Sequence, residues 1–185
     1  ASLGTLLVAL QHEFGVPFVH VTHDPGEALR IGGRTIALEG GRVVAAGRAD
    51  EVLSGLRGRV AALGSDNWLR GIVLEDGGDG ARVDLGGTVV VTPPLGRAPN
   101  DTVVLQLPAE DVLIATGEVR GTSARNVFPG EVVAIDAADG GIDVIVATPV
   151  RLRARVTRAA VAELALAPGN RVWLLVKASA FRAAD

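Results

Sequence analysis

Ala124-Arg125-Asn126-Val127-Phe128-Pro129-Gly130 repeats, with changes, the earlier run Ser65-Asp66-Asn67-Trp68-Leu69-Arg70-Gly71. Each run leads into alternating apolar and polar residues, the period-2 pattern of a half-buried strand. Each strand then meets an acidic, glycine-containing turn: Asp76-Gly77-Gly78-Asp79-Gly80 in the first, Asp136-Ala137-Ala138-Asp139-Gly140 in the second. Further on, Ala98-Pro99-Asn100-Asp101-Thr102-Val103-Val104-Leu105 matches Ala167-Pro168-Gly169-Asn170-Arg171-Val172-Trp173-Leu174. Two copies of one small β unit account for this more economically than one irregular domain. The pattern predicts a mainly β protein with a pair of OB-like Greek-key barrels, with strands that can be shared between them.

Outward from the repeat, the amino-terminal third has a different texture. Residues 6–14 have helical spacing and stop at Gly15-Val16-Pro17. Phe18-Val19-His20-Val21-Thr22 is β-branched and apolar, which predicts a buried strand. Asp24-Pro25-Gly26-Glu27 predicts a helix start: Asp24 caps, Pro25 suits the first helical position, and Glu27 closes a capping-box-like arrangement. Residues 35–38 and 42–46 predict two short strands around Glu39-Gly40-Gly41, a hairpin signal. Val52, Leu53, Leu56, Val60 and Leu63 have helical spacing and predict a linking helix. The expected organisation is an α/β segment at 1–48, a linking helix at 49–65, a first β module at 66–117 and a second at 118–185.

Composition narrows the function classes. The 185 residues contain no cysteine, so disulfides and thiolate metal sites are excluded. No apolar run approaches the ~18 residues of a membrane span, and the chain is expected to be soluble. The start, Ala1-Ser2-Leu3-Gly4-Thr5, lacks a basic n-region and an initiator methionine. It reads as the middle of something longer. Charge is uneven: residues 66–117 carry 3 basic and 8 acidic side chains, against 9 and 7 in 118–185. With four Phe, two Trp, no Tyr and an acidic first module, a nucleic-acid groove with stacking platforms is not expected. His12, His20 and His23 all lie near the start, and no nucleophile–base pair is spaced for catalysis.

The only lysine, Lys177, settles two further points. It has no G-x-x-x-x-G-K-[ST] frame, so the chain carries no P-loop. It also lies about fifty residues after Arg125, in the second copy. A hydrated point charge beside a planar guanidinium fork suits a small oxyanion. The first copy has Asp66 where the second has Arg125, Pro108 for Lys177 and Glu110 for Ser179. Any oxyanion ligands must come from the second copy.

Two segments resemble known families. Val21-Thr22-His23-Asp24-Pro25-Gly26-Glu27-Ala28-Leu29, continued by Arg34-Thr35-Ile36-Ala37-Leu38-Glu39-Gly40-Gly41-Arg42-Val43-Val44-Ala45-Ala46-Gly47, resembles the end of the ATPase domain of ABC transporters. By that resemblance His23 corresponds to the switch histidine that contacts the γ-phosphate. Walker A, Walker B and the signature sequence are absent, so no complete catalytic set is expected and ATP and Mg belong only to a full-length protein. Thr122-Ser123-Ala124-Arg125-Asn126 followed by Pro129-Gly130, with Arg155-Val156-Thr157 and Leu175-Val176-Lys177-Ala178-Ser179, resembles the molybdate/tungstate-binding Mop (molbindin) modules of the TOBE group.

Together they make the chain similar to the carboxyl-terminal half of a molybdate-importer ATPase subunit. The resemblance implies oxyanion donors from the side chains of Ser123, Arg125, Thr157 and Lys177 and from backbone N–H groups near Ala124, Ala178 and Ser179. Molybdate or tungstate is then the ligand, without a metal site or a cofactor. Modules of this family bind at module interfaces, so a homodimer is expected to complete the shell. A membrane permease partner and a cytoplasmic location on the inner face of the membrane follow for the full-length protein. Alternatives are a regulatory domain of an importer for sulfate, sugar or iron, and a structural dimerisation module.

Overall fold

The computed structural model describes residues 3–15, 17–56, 66–138 and 140–184. Two compact units divide the chain: residues 1–64 with 184–185, and residues 65–183.

In the first unit, helices α1 (Leu3–Phe14) and α2 (Pro25–Ile31) precede strands β1 (Arg34–Glu39) and β2 (Arg42–Arg48) and helix α3 (Ala49–Leu56). Asp24 caps α2 as expected, its carboxylate accepting from the N–H groups of Gly26 (2.7 Å) and Glu27 (3.2 Å). Glu27 does not close a capping box: the Asp24 N–H donates instead to Thr22 Oγ1 at 3.0 Å. Glu27 turns towards Thr22 and His20, whose hydrogen bonds hold its carboxyl below the usual glutamate range. The β1–β2 hairpin turns at Gly40 and Gly41, with φ of 54° and 76°. Both lie in the left-handed region that a two-residue primed turn requires, which is why glycine occupies both positions.

The predicted strand at 18–22 is absent. The segment has no strand partner among the described residues, and Val19 and Val21 are 93% and 90% exposed. Apolar β-branched residues set a preference, but a strand exists only where its N–H and C=O groups find a ladder. Helix α3 occupies the first part of the span expected for a linking helix, and the rest of that span, 57–65, lies outside the described residues.

The second unit realises the repeat. Strands β3 (Asn67–Gly77), β4 (Gly80–Asp84), β5 (Val89–Thr92) and β6 (Thr102–Leu107) are followed by a 3-10 turn (Ala109–Asp111) and β7 (Leu113–Ala115). The second copy runs β8 (Asn126–Ala138), β9 (Gly141–Ala147), β10 (Arg151–Val156), helix α4 (Arg158–Glu163), β11 (Arg171–Val176), a 3-10 turn (Ala178–Ala180) and β12 (Arg182–Ala183). These are two OB-like modules in antiparallel sheets ordered β12-β6-β3-β4-β5 and β10-β9-β8-β11-β7. The final strands are exchanged: β7 pairs with β11 of the second copy, and β12 with β6 of the first.

The equivalence extends to single bonds. Asn67 pairs with Leu107, and Asn126 with Val176, at the same end of each ladder. Asn100 donates to Val73 O and Val73 to Asp101 O, as Gly169 does to Val132 O and Val132 to Asn170 O. Asn100 and Gly169 adopt positive φ of 72° and 89°. Asparagine is the non-glycine residue that tolerates that region best, so the two sequences reach one turn. Gly130 is kept for close approach: a Cβ there would lie 2.6 Å from Val146 Cγ1 and 2.7 Å from Ala147 O. Gly71 is crowded in the same way by Val83 and Asp84 O. One apolar core runs through both copies, with Val73, Leu105, Leu107, Val132, Val146 and Leu174 fully buried.

Candidate functional site

The ladder between β8 and β11 ends at the pair Asn126 and Val176. One residue beyond that pair, just outside the two strands, stand Arg125 and Lys177. Both are exposed, and neither forms an ion pair with a described carboxylate. The strand register thus closes a 50-residue sequence separation between Asn126 and Val176. Lys177 also opens the 3-10 turn Ala178–Ala180, which places Ala178 and Ser179 immediately beside it. The leading N–H groups of such a turn have no acceptor within it and point away from its body.

Ser123 is exposed in the loop entering β8. The Ala124 N–H donates to Thr122 Oγ1 at 3.1 Å, which fixes the loop's local shape and engages that amide. The ladder end therefore gathers Arg125, Lys177, Ala178 and Ser179, with Ser123 two residues before Arg125. Thr157 stands elsewhere in the chain. It caps α4, its Oγ1 accepting from the Ala160 N–H at 3.1 Å. It follows β10, and β10 packs on the first copy's turn Ala109–Asp111.

The corresponding end of the first copy has the opposite character. Asp66 stands in the place of Arg125, and its carboxylate accepts from Gln106 Nε2. Pro108 replaces the lysine and Glu110 the serine. Its two carboxylates repel an anion, and the arginine and lysine donors of the other end are missing here.

Two features of the unit were not singled out from sequence. Asn67 and Asn126 are buried, 0% and 3% exposed, and each bonds across to the other copy. Their alignment in the repeat was the available signal. The second feature is the charged group Arg153–Asp143–Arg155. Arg153 Nη1 lies 3.1 Å from Asp143 Oδ2, and Arg155 Nε 2.8 Å from Asp143 Oδ1. Residues 153 and 155 alternate correctly for one face of β10, and Asp143 pairs directly with Arg155 in register.

His23, the position of the switch histidine in the resemblance, is exposed in the loop before α2. Among the described residues no cluster of histidine, cysteine or carboxylate side chains could hold a metal ion. Among them, too, no helix is long and apolar enough to cross a membrane.

Comparison with known proteins relates the chain to two groups. The TOBE domain family matches residues 122–183. The molybdenum import ATP-binding protein ModC of Rhizobium meliloti (strain 1021) is 34% identical over 181 residues, covering 92% of this chain and 50% of that protein. Its namesake in Paramagnetospirillum magneticum is 34% identical over 182 residues, covering 93% and 49%. The chain thus spans about half the length of the curated relatives it matches. Among solved structures, the cytoplasmic molybdate-binding protein ModG, crystallised with molybdate bound, superposes with a TM-score of 0.55 at 30% identity. That match covers 63% of this chain and 94% of ModG. Residues 122–183 belong to the TOBE-domain family, and the chain's similarity to molybdenum import ATP-binding proteins runs through their carboxyl-terminal half.

Proposed function

We propose that residues 65–183 bind molybdate or tungstate, and that the chain is the carboxyl-terminal part of the ATP-binding subunit of a molybdate importer. The observation that carries this reading is the pairing of Arg125 with Lys177 at one ladder end, unopposed by described carboxylates, while the equivalent end carries Asp66 and Glu110. Molybdate is a tetrahedral dianion without protons at neutral pH, so it needs donors on each face. Arg125, Lys177, Ser123, Ser179 and the N–H groups of Ala178 and Ser179 are all donors. Phosphate retains a proton at this pH, and a donor-only shell leaves that proton without an acceptor.

These residues cover one side of the ion. Thr157 stands apart from them within the chain, so its hydroxyl joins the shell only from a second copy, and a homodimer completes the site. In the full-length protein, intracellular molybdate bound here favours one arrangement of the paired ATPase subunits and slows import. Such coupling requires different affinities for the two arrangements. The permease is then the membrane partner and the inner face of the membrane the location. Without a P-loop the fragment hydrolyses no ATP, and His23 is a remnant of the switch position.

A thermal-shift series with molybdate, tungstate, sulfate and phosphate tests the reading. At ligand concentrations about a hundredfold above Kd, a binder gains roughly 3 kcal/mol. Stabilisation by molybdate and tungstate but not phosphate, lost in Arg125→Ala and in Lys177→Ala, is the expected result. Equal stabilisation of the variants contradicts it.

A further inference from the structure

We infer that Asn126 is the positioning residue of the oxyanion site, and that through it the first copy's edge strand β5 is built into that site. The inference rests on the oxyanion reading of Arg125 and Lys177. β5 is the outermost strand of its sheet. Val91 pairs there with Arg82 of β4, yet both its backbone groups are satisfied from the other side. Its N–H donates to Asn126 Oδ1 at 2.7 Å, and its carbonyl accepts from Asn126 Nδ2 at 2.9 Å. The same Nδ2 lies 3.3 Å from Val176 O. One buried amide thus acts as a surrogate strand residue. It joins β5 of the first copy to the last residue of β11 in the second.

Asn126 and Val176 are the immediate chain neighbours of Arg125 and Lys177. The two cations therefore leave the sheet from a ladder end that backbone pairing closes and that one carboxamide clamps further and ties to β5. β5 also packs against the turn Ala178–Ala180 that carries Ser179. Strand β5 offers three valines and Thr92, whose buried hydroxyl already donates to Pro93 O, so its contribution is a wall and a brace, not a donor.

The fold contains its own control. Asn67 makes the same three bonds at the other end: Arg153 N–H to Oδ1 at 2.7 Å, and Nδ2 to Arg153 O at 2.9 Å and to Leu107 O at 3.2 Å. Its neighbours are Asp66 and Pro108, so the geometry it fixes presents no cations. A purely architectural role would make the two asparagines interchangeable in every measurement. A positioning role separates them in affinity alone.

The test compares Asn126→Ala and Asn67→Ala by calorimetric titration with molybdate, at a temperature where both are folded, with urea unfolding alongside. Similar losses of stability are expected, with molybdate affinity reduced at least tenfold in Asn126→Ala and within twofold of the unsubstituted chain in Asn67→Ala. Unchanged affinity in Asn126→Ala, or equal loss in both variants, overturns this inference alone. No binding by the unsubstituted chain overturns the oxyanion reading and this inference with it. Should Asn126→Ala fail to fold, amide exchange in the unsubstituted chain replaces it: molybdate is expected to slow exchange at Val91 at least tenfold more than at Arg153. Equal slowing at the two amides is the contrary result.

Discussion

Replacing Asp143 by alanine removes the carboxylate that pairs with both Arg153 and Arg155, and the structure sets the scale of the damage. The side chains of Arg153 and Asp143 are 4% and 6% exposed, while Arg155 is 24% exposed. Three hydrogen bonds at 3.1, 2.8 and 3.1 Å reach the carboxylate. Arg155 can turn to solvent when its partner is lost, but Arg153 cannot. Its Nε already has no hydrogen-bond partner, so the substitution strands a charge that is nine-tenths buried. Breaking one side of such a pair costs about 3–5 kcal/mol. A domain with 5–15 kcal/mol of total stability loses a large part of it. Both tryptophans, Trp68 and Trp173, lie in this unit, so urea unfolding followed by their fluorescence reports on residues 65–183. The midpoint should fall sharply in Asp143→Ala with little change in slope. The double variant Asp143→Ala/Arg153→Met, which removes the stranded charge, should recover most of the loss. A single-variant cost below about 1 kcal/mol, the scale of an exposed pair, would refute the argument. So would a double variant no more stable than the single.

Three further outcomes follow from the same geometry. Asp66→Arg, Pro108→Lys and Glu110→Ser together should install a second oxyanion site at the first copy's ladder end, doubling the molybdate stoichiometry per chain by calorimetry; an unchanged stoichiometry would show that donor chemistry at that end is not sufficient. Asp76 is held below the usual carboxylate range, chiefly by the Arg97 N–H and then by those of Leu95, Gly96 and Gly77, with partial desolvation opposing them. Its depressed folded pKa means this stabilisation is complete above the unfolded value of about 4 and disappears as pH falls through the folded value. Amide protection at Leu95 and Arg97 should therefore drop in acid, and Asp76→Asn should weaken it at neutral pH and flatten that acid dependence. Residues 18–46 should exchange amide hydrogens faster than the barrel strands, because the exposed Val19 and Val21 have no ladder around them; protection equal to that of β3 and β8 would contradict this.

Much of the second unit was legible because it is written twice. The aligned runs around Asn67 and Asn126 located the leading strands, and the Ala98 and Ala167 runs located the matching turns and the strands after them. Arg125 and Lys177 stood out because the first copy has Asp66 and Pro108 in their places. Strand exchange was open in sequence, since three-residue β7 and two-residue β12 are too short to choose a sheet by pattern. The role of the asparagines was hidden because a buried amide reads as polar in any pattern analysis. Only the strand register shows that its partners are 35 and 86 residues away. Residues 18–22 misled for the opposite reason: their composition favours a strand, but pairing partners are supplied by tertiary structure. Thr157 was grouped with Arg125 by resemblance; its Oγ1 also caps α4, a role that leaves its O–H free to donate.

The most direct measurement is the anomalous difference map, at the molybdenum edge, of crystals grown with molybdate. The account predicts one peak per chain, within hydrogen-bond reach of Arg125 and Lys177 and beside the turn Ala178–Ala180. A peak at the Asp66 and Glu110 end, or none at full ligand excess, would contradict it.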